Sequence, residues 1–171
     1  MDPRLGKNIS PGAINFGNYP AIHSIMLHRI AVIADTHNQL PAHVLGDLSS
    51  ADEIWHLGDV MRPETLDPLK QFAVPLLIIR GNNDSCMDWP LEWTCERGGK
   101  SFHLVHIPPR NIPDFDFLLH GHTHVPRDEM IGKTRVLNPG TIGKPNKGAP
   151  PSYAWLEIGR PGEVRWRLVR V

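Results

Sequence analysis

From Met26 onward the chain alternates short apolar runs with amphipathic stretches. Residues 29–34 (RIAVIA) are apolar almost throughout and read as a strand covered on both faces. Residues 41–48 carry apolar positions at helical spacing behind Pro41, which suits the first turn of a helix. A second strand is predicted at 53–57 (EIWHL), a second helix at 63–72 and a third strand at 75–80 (PLLIIR). Strand–helix–strand–helix–strand in this order implies parallel strands joined by right-handed crossovers. After Asp84 the period changes. Residues 93–96, the turn RGGK and residues 101–106 predict a hairpin. Short strands follow at 115–119, 134–137, 153–158 and 164–169, the last two joined by GRPGE. The pattern is that of an α/β domain whose second half is mostly strand.

Residues 1–25 break from this pattern. They are rich in Gly, Pro and Asn, show no period, and lack the basic start and apolar centre of a secretory signal. Two readings stay open: a loosely attached extension outside the core, or a start assigned too early, with Met26 the true beginning. The intact mass of protein from its native source separates them. Residues 26–171 are then expected to form a single domain.

Composition narrows the partners. Lys plus Arg and Asp plus Glu both count 18, so the formal charge is zero and nothing points to a polyanion. No apolar run approaches the roughly 18 residues of a membrane span. Cys86 and Cys95 lack C-x-x-C spacing and read as free thiols in a reducing, cytoplasmic setting. Ten histidines are the one unusual count, and they direct attention to metal or acid–base chemistry.

The histidines and acids fall where chemistry is expected. Residues 30–34 run into Asp35-Thr36-His37, EIWHL into Gly58-Asp59, and LLIIR into Gly81-Asn82-Asn83-Asp84. SFHLVH ends in His106, and DFLLH runs into Gly121-His122-Thr123-His124. Ligands bind at the carboxyl ends of parallel strands, so these clusters are expected to converge at one rim. Carboxylates and amide oxygens with imidazoles suit Mn, Fe or Zn. Each signal alone has a structural reading: Asp35 and Asp59 as helix N-caps, His106 as a core imidazole.

Taken together, ADTH, LGD, RGNND, the strand ending in His106, HGHTH and Asn138-Pro139-Gly140 resemble the calcineurin-like metallophosphoesterases, in particular their small bacterial and archaeal phosphodiesterases. The resemblance implies a four-layer αββα sandwich of two mixed sheets with two metals at the sheet rim. It implies that Asp35, His37 and His124 hold one metal, that Asn82, His106 and His122 hold the other, and that Asp59 bridges both. Mn is the foremost expectation, with Fe, Zn or Ni also suited. The implied reaction is hydrolysis of a small phosphoester, preferably a diester, by direct in-line attack of metal-bound hydroxide on phosphorus, with no protein nucleophile.

The chain also departs from the family pattern. His106 is followed by Ile107 where relatives commonly have Gly, and the connection 107–113 is shorter than the usual helix-containing one, so the rim near the second metal is expected to be more open or built differently. Asn83 stands where many relatives carry His. An amide can bind a phosphate oxygen but cannot donate a proton as a general acid. Asn82 and Asn83 are therefore candidate substrate contacts on a protein favouring acidic leaving groups, while Asp84 and Asn138 are candidates to support the ligand loops. Arg62 and Arg80 are expected in surface ion pairs, and Trp89 and Trp93 to pack or to line a substrate pocket. His120 lies outside the motif and receives no ligand role. A self-associating enzyme fits the resemblance. The rival reading is a non-catalytic protein-binding scaffold of the same fold, like a subunit of the retromer coat.

Overall fold

The computed structural model describes residues 27–171, so the readings made for residues 1–25 lie outside the described residues. The first strand, β1 (His28–Ile33), shows how the sequence builds the layers. Successive strand side chains point to opposite faces. Ile30, Val32 and Ala34 therefore enter a core shared with the second sheet, while Ala31 and Ile33 pack toward the helices. Such two-sided burial is why RIAVIA needs no polar alternation.

β1 pairs in parallel with β2 (Glu53–His56), which pairs in parallel with β3 (Leu76–Ile78). The crossovers contain α1 (Ala42–Leu48), and a 3-10 turn (Pro63–Leu66) continuing into α2 (Asp67–Lys70). Val44, Leu48, Leu66 and Leu69 seal the outer face of this sheet. The hairpin expected in the middle of the chain is β4 (Glu92–Arg97) and β5 (Lys100–Val105). Gly98 and Gly99 at its turn have φ of 59° and 73°, left-handed values that glycine adopts freely. β5, β6 (Phe117–Leu119) and β8 (Thr134–Asn138) run parallel to one another. β7 (Arg127–Ile131) adds antiparallel to β8 at the sheet edge. The last strands, β9 (Ser152–Ile158) and β10 (Val164–Arg170), return to the first sheet on the far side of β1. The two sheets are thus β10-β9-β1-β2-β3 and β4-β5-β6-β8-β7, both mixed.

This is the two-sheet α/β sandwich expected, with two local differences. The strand β7 is absent from the sequence reading, because Arg127-Asp128-Glu129 are mostly exposed at an edge and show no apolar period. The outer layer on the second sheet is also thinner than αββα implies. Among the described residues no helix covers that face. Ile112, from the irregular segment after β5, packs on Val105, Leu118 and Val136 instead.

Candidate metal centre

The parallel strands of both sheets end at one rim, and their loops are held in tight turns. Asp35, His37, Asp59, His122 and His124 all have positive φ, between 46° and 66°. Backbone in this region costs a non-glycine residue about 1–3 kcal/mol and persists where its surroundings over-determine it. Those surroundings are visible. The N–H of Asp35 donates to Gly58 O at 2.9 Å, that of His37 to Asp59 O at 3.0 Å, and that of Gly121 to His106 O at 3.1 Å. The His122 N–H donates to Asp35 Oδ2 at 3.0 Å, tying the two sheets together across the rim.

Asp35, His37, Asp59 and His124 each offer a ligand atom, all within 4.8 Å of one another. His37 Nε2 stands 3.2 Å from His124 Nε2. His124 donates its Nδ1–H to Lys144 O at 2.6 Å, which leaves Nε2 free to face the cluster. Asp35 holds the pKa of His124 above its ordinary value, whereas burial lowers that of His37.

A second group adjoins the first. Asn82 Oδ1 lies 3.1 Å from His106 Nε2 and 2.9 Å from His122 Nδ1. His106 is fully buried and donates Nδ1–H to Leu57 O at 2.7 Å, again directing Nε2 into the site. Asp59 lies between the groups, with Oδ2 3.8 Å from His37 Nε2 and Oδ1 3.4 Å from His106 Nε2. Burial alone would raise the pKa of Asp59. His106 and both N–H donors of Asn83 outweigh it and hold the carboxyl far below its usual range. Burial likewise opposes protonation of His106, yet its bond to Asp59 and the nearby carboxylates raise its pKa. All seven residues expected as ligands therefore meet in two adjoining groups.

The supporting residues divide more finely than the sequence suggests. Asp84 accepts from the N–H groups of Asp59 (3.0 Å), Gly81 (2.6 Å) and Met61 (2.7 Å), clamping two ligand loops. Asn138 donates Nδ2–H to Gly121 O and Thr123 Oγ1, both at 3.0 Å, from beneath the HGHTH turn. Asn83 donates its side-chain N–H to Asp59 Oδ2 at 2.6 Å. His120 is buried, with Nδ1 2.9 Å from Gly121 O and Nε2 3.5 Å from Arg127 Nη1. Burial lowers its pKa to about 4, so it is a neutral prop under the turn. His56 is a second such prop. It accepts from Gly58 N–H at 3.1 Å on Nδ1 and donates from Nε2 to Thr36 Oγ1 at 3.1 Å, with burial lowering its pKa to about 3.

Sequence reasoning missed Thr141, whose hydroxyl donates to Asp35 O at 2.8 Å, and Lys144, whose carbonyl fixes His124. Their one signal was proximity to the Asn138-Pro139-Gly140 turn. Arg80 was expected in a surface ion pair. It instead donates Nη1–H to Met87 O at 3.1 Å. Trp89 is half-buried and packs against the core on the helix side of the first sheet, and Trp93 lines a separate groove with His103 and Phe115.

The donor set fits divalent cations. Asp35 Oδ1 is fully buried without a hydrogen-bond partner, although His124 Nε2 is only 3.2 Å away. An uncompensated buried carboxylate oxygen is costly, and a cation among carboxylates and imidazoles removes that cost. Close approach is also built in. A Cβ at Gly58 would meet His106 Nδ1 at 2.7 Å, and one at Gly81 would collide with Asp59 Oδ1 and N.

The calcineurin-like phosphoesterase superfamily domain model matches residues 28–160. Phosphodiesterase YfcE of Escherichia coli (strain K12) is 29% identical over 160 residues, covering 75% of this chain and 87% of that protein. The solved structure of an archaeal phosphodiesterase aligns with a TM-score of 0.72 at 18% identity, covering 84% of this chain and 99% of its own. A Vps29 variant from Entamoeba histolytica aligns with a TM-score of 0.67 at 22% identity, covering 84% and 99%. These two likenesses concern the fold. The family match runs from β1 to the end of β9 and takes in every loop that carries a candidate ligand, and the chain belongs to the calcineurin-like phosphoesterase superfamily.

Proposed function

We propose that this chain is a dinuclear metal-dependent phosphoesterase acting on phosphodiesters. One observation carries the reading: the buried carboxylate of Asp59 adjoins both ligand groups, His37 on one side and His106 on the other. Asp35, His37 and His124 then hold one cation, Asn82, His106 and His122 the other, and Asp59 is shared. Divalent cations there, Mn foremost with Fe, Zn or Ni also suited, supply Lewis acidity to the phosphoryl oxygens and an activated water for in-line attack.

The chain's own part is positional and electrostatic. His106 and His124 present Nε2 because carbonyls occupy their Nδ1–H groups. Asp84 keeps the Asp59 and Gly81 loops together. The cleft beside the centre is bordered by His37, Gln39, Met61, Asn83, Gly143 and Lys144, with no Ser or Cys among them. Lys144 there favours an anionic ester, with the exposed Asn83 in the same cleft and the exposed Asn82 beside the second ligand group placed to bind its oxygens. The likeness to phosphodiesterase YfcE supports a diester substrate. Among the described residues no helix is long and apolar enough to cross a membrane, and the free cysteines Cys86 and Cys95 suit a reducing cytoplasm.

The test is hydrolysis of bis-p-nitrophenyl phosphate by the full chain with Mn²⁺, after chelation, and in Asp59→Asn. Turnover that depends on metal and falls by at least about 10² in the variant, the scale of losing one electrostatic contact, supports the reading. Metal-independent turnover overturns it. The scaffold reading rests on the fold shared with Vps29. It predicts no turnover under any metal together with a stable protein partner. The complete donor set of the rim weighs against it.

A further inference from the structure

An open groove of about 370 Å³ begins at the second ligand group and runs away from it. Asn82 and His106 form its inner end, and Leu91, Val105 and Ile107 line its sides. Two of these side chains are unusually exposed for their type, Leu91 at 62% and Ile107 at 54%. The chain after β5 is irregular, and among the described residues no helix lies between β5 and β6 to cover the groove. Its volume is in the range of small-molecule sites, which combine apolar walls with a few placed polar groups. Arg80 supplies such a group, pinned by its hydrogen bond to Met87 O. Glu92 also borders the groove, but its Oε2 lies 2.9 Å from His103 Nε2 and it borders the adjoining groove as well.

We propose that this groove is a specificity site for an uncharged aromatic arm of the phosphoester. The proposal rests on the phosphoesterase reading, because it takes the ester's phosphoryl group to sit at the metal centre. Continuity supplies the path: Asn82 and His106 belong at once to the centre and to the groove, so a group bonded to a phosphorus held there can extend along Leu91 and Ile107. Burial of an aryl face on these side chains removes apolar surface from water, and a guanidinium favours the face of an aromatic ring. The apolar walls of Leu91, Val105 and Ile107 suit an uncharged arm. The cleft bordered by Lys144 and Asn83 adjoins the centre at His37 instead, and Met61 is its one apolar side chain.

Phenylphosphonate and methylphosphonate separate the groove from the chemistry, because neither P–C bond is open to hydrolysis. Their dissociation constants are measured by calorimetry on the Mn²⁺-loaded full chain, on Leu91→Gln and on Ile107→Gln. Both substitutions fall on exposed positions, and circular dichroism checks the fold. Wild type is expected to bind phenylphosphonate about tenfold more tightly than methylphosphonate, the lower end of discrimination in apolar pockets. Each variant should reduce that ratio to about twofold or less and leave methylphosphonate binding unchanged. Equal binding of the two ligands by wild type, a ratio unchanged in both folded variants, or no binding of either ligand overturns the proposal. Bis-p-nitrophenyl phosphate turnover is followed in parallel. Turnover without the aryl preference removes the groove and keeps the phosphoesterase. The preference without turnover does the reverse.

Discussion

Asp59 brings together more of the site than any other side chain. It faces His37 and His106, and it accepts two N–H groups of Asn83. Its place depends on Gly81, where a Cβ would collide with both Asp59 Oδ1 and its backbone N. Backbone atoms cannot yield as the end of a flexible side chain can. Gly81→Ala is therefore expected to destabilise the fold by about 1–3 kcal/mol, the usual range for overpacking, and to weaken Mn²⁺ binding; denaturant unfolding and calorimetry read the two effects. Asn83 carries a different prediction. Its amide steadies Asp59 but cannot protonate a departing alkoxide. In Asn83→His, kcat/KM for an alkyl phosphodiester should rise about tenfold or more, below the ~10²–10⁴ attributed to a well-placed general acid. Esters of p-nitrophenol need little such help and should change far less. Equal gains on both substrate types would end that account.

At the scale of elements, the site is made by strand ends and the opposite end is stapled. Glu53 at the start of β2 accepts from Arg97 of β4 at 3.0 and 3.1 Å and from Trp55 Nε1 at 2.7 Å, linking the two sheets. Burial would raise the pKa of Glu53, but the Arg97 and Trp55 hydrogen bonds outweigh it and leave it below 4.5. A carboxylate with a lowered folded pKa binds fewer protons folded than unfolded. Its contribution is therefore full above pH 4.5 and lost as pH falls through the folded value. Arg97→Ala should cost about 1.5–3 kcal/mol at neutral pH, the range for a charged hydrogen bond, with the low end favoured because Arg97 is partly exposed. The loss should shrink as pH drops below 4.5, which urea unfolding at several pH values measures. A loss that stays constant to pH 3 would show that Glu53 is not the partner that matters.

For the whole molecule, the cations proposed at the rim couple the two sheets, because their ligands come from both. Mn²⁺ at about 100 times its Kd adds about 2.7 kcal/mol by mass action, so Tm should rise by about 5–10 °C for a chain of this size. Asp59→Asn should remove most of that rise. The raised pKa values of His106 and His124 set the pH dependence. Protonated imidazole cannot bind a metal, so protons compete with it up to pH values above 6.5. Calorimetry should show Mn²⁺ affinity increasing as pH rises through that region, with proton release on binding. Affinity independent of pH would mean that both imidazoles are already neutral in the metal-free protein.

Much of this architecture was legible in the chain because its signals are local. RIAVIA and EIWHL are buried on both faces, PLLIIR is the half-buried edge strand beside them, and each runs within two residues into its Asp or Asn. The hairpin at Gly98-Gly99 was equally plain, since the turn demands residues that tolerate positive φ. The strand β7 was hidden because an exposed edge needs no apolar face. The roles of Thr141, Lys144 and His56 were hidden for another reason: they act through hydrogen bonds to atoms far away in sequence, and no periodicity records those. The alternating histidines of HGHTH make the same point. Residue type and spacing marked the segment as chemical. Only the packing of Asn138 and Arg127 beneath the turn made His120 a buried prop, while His122 and His124 were turned toward different neighbours. A strand's period is a property of neighbouring residues, whereas the direction of a loop side chain is set by whatever the fold brings against it.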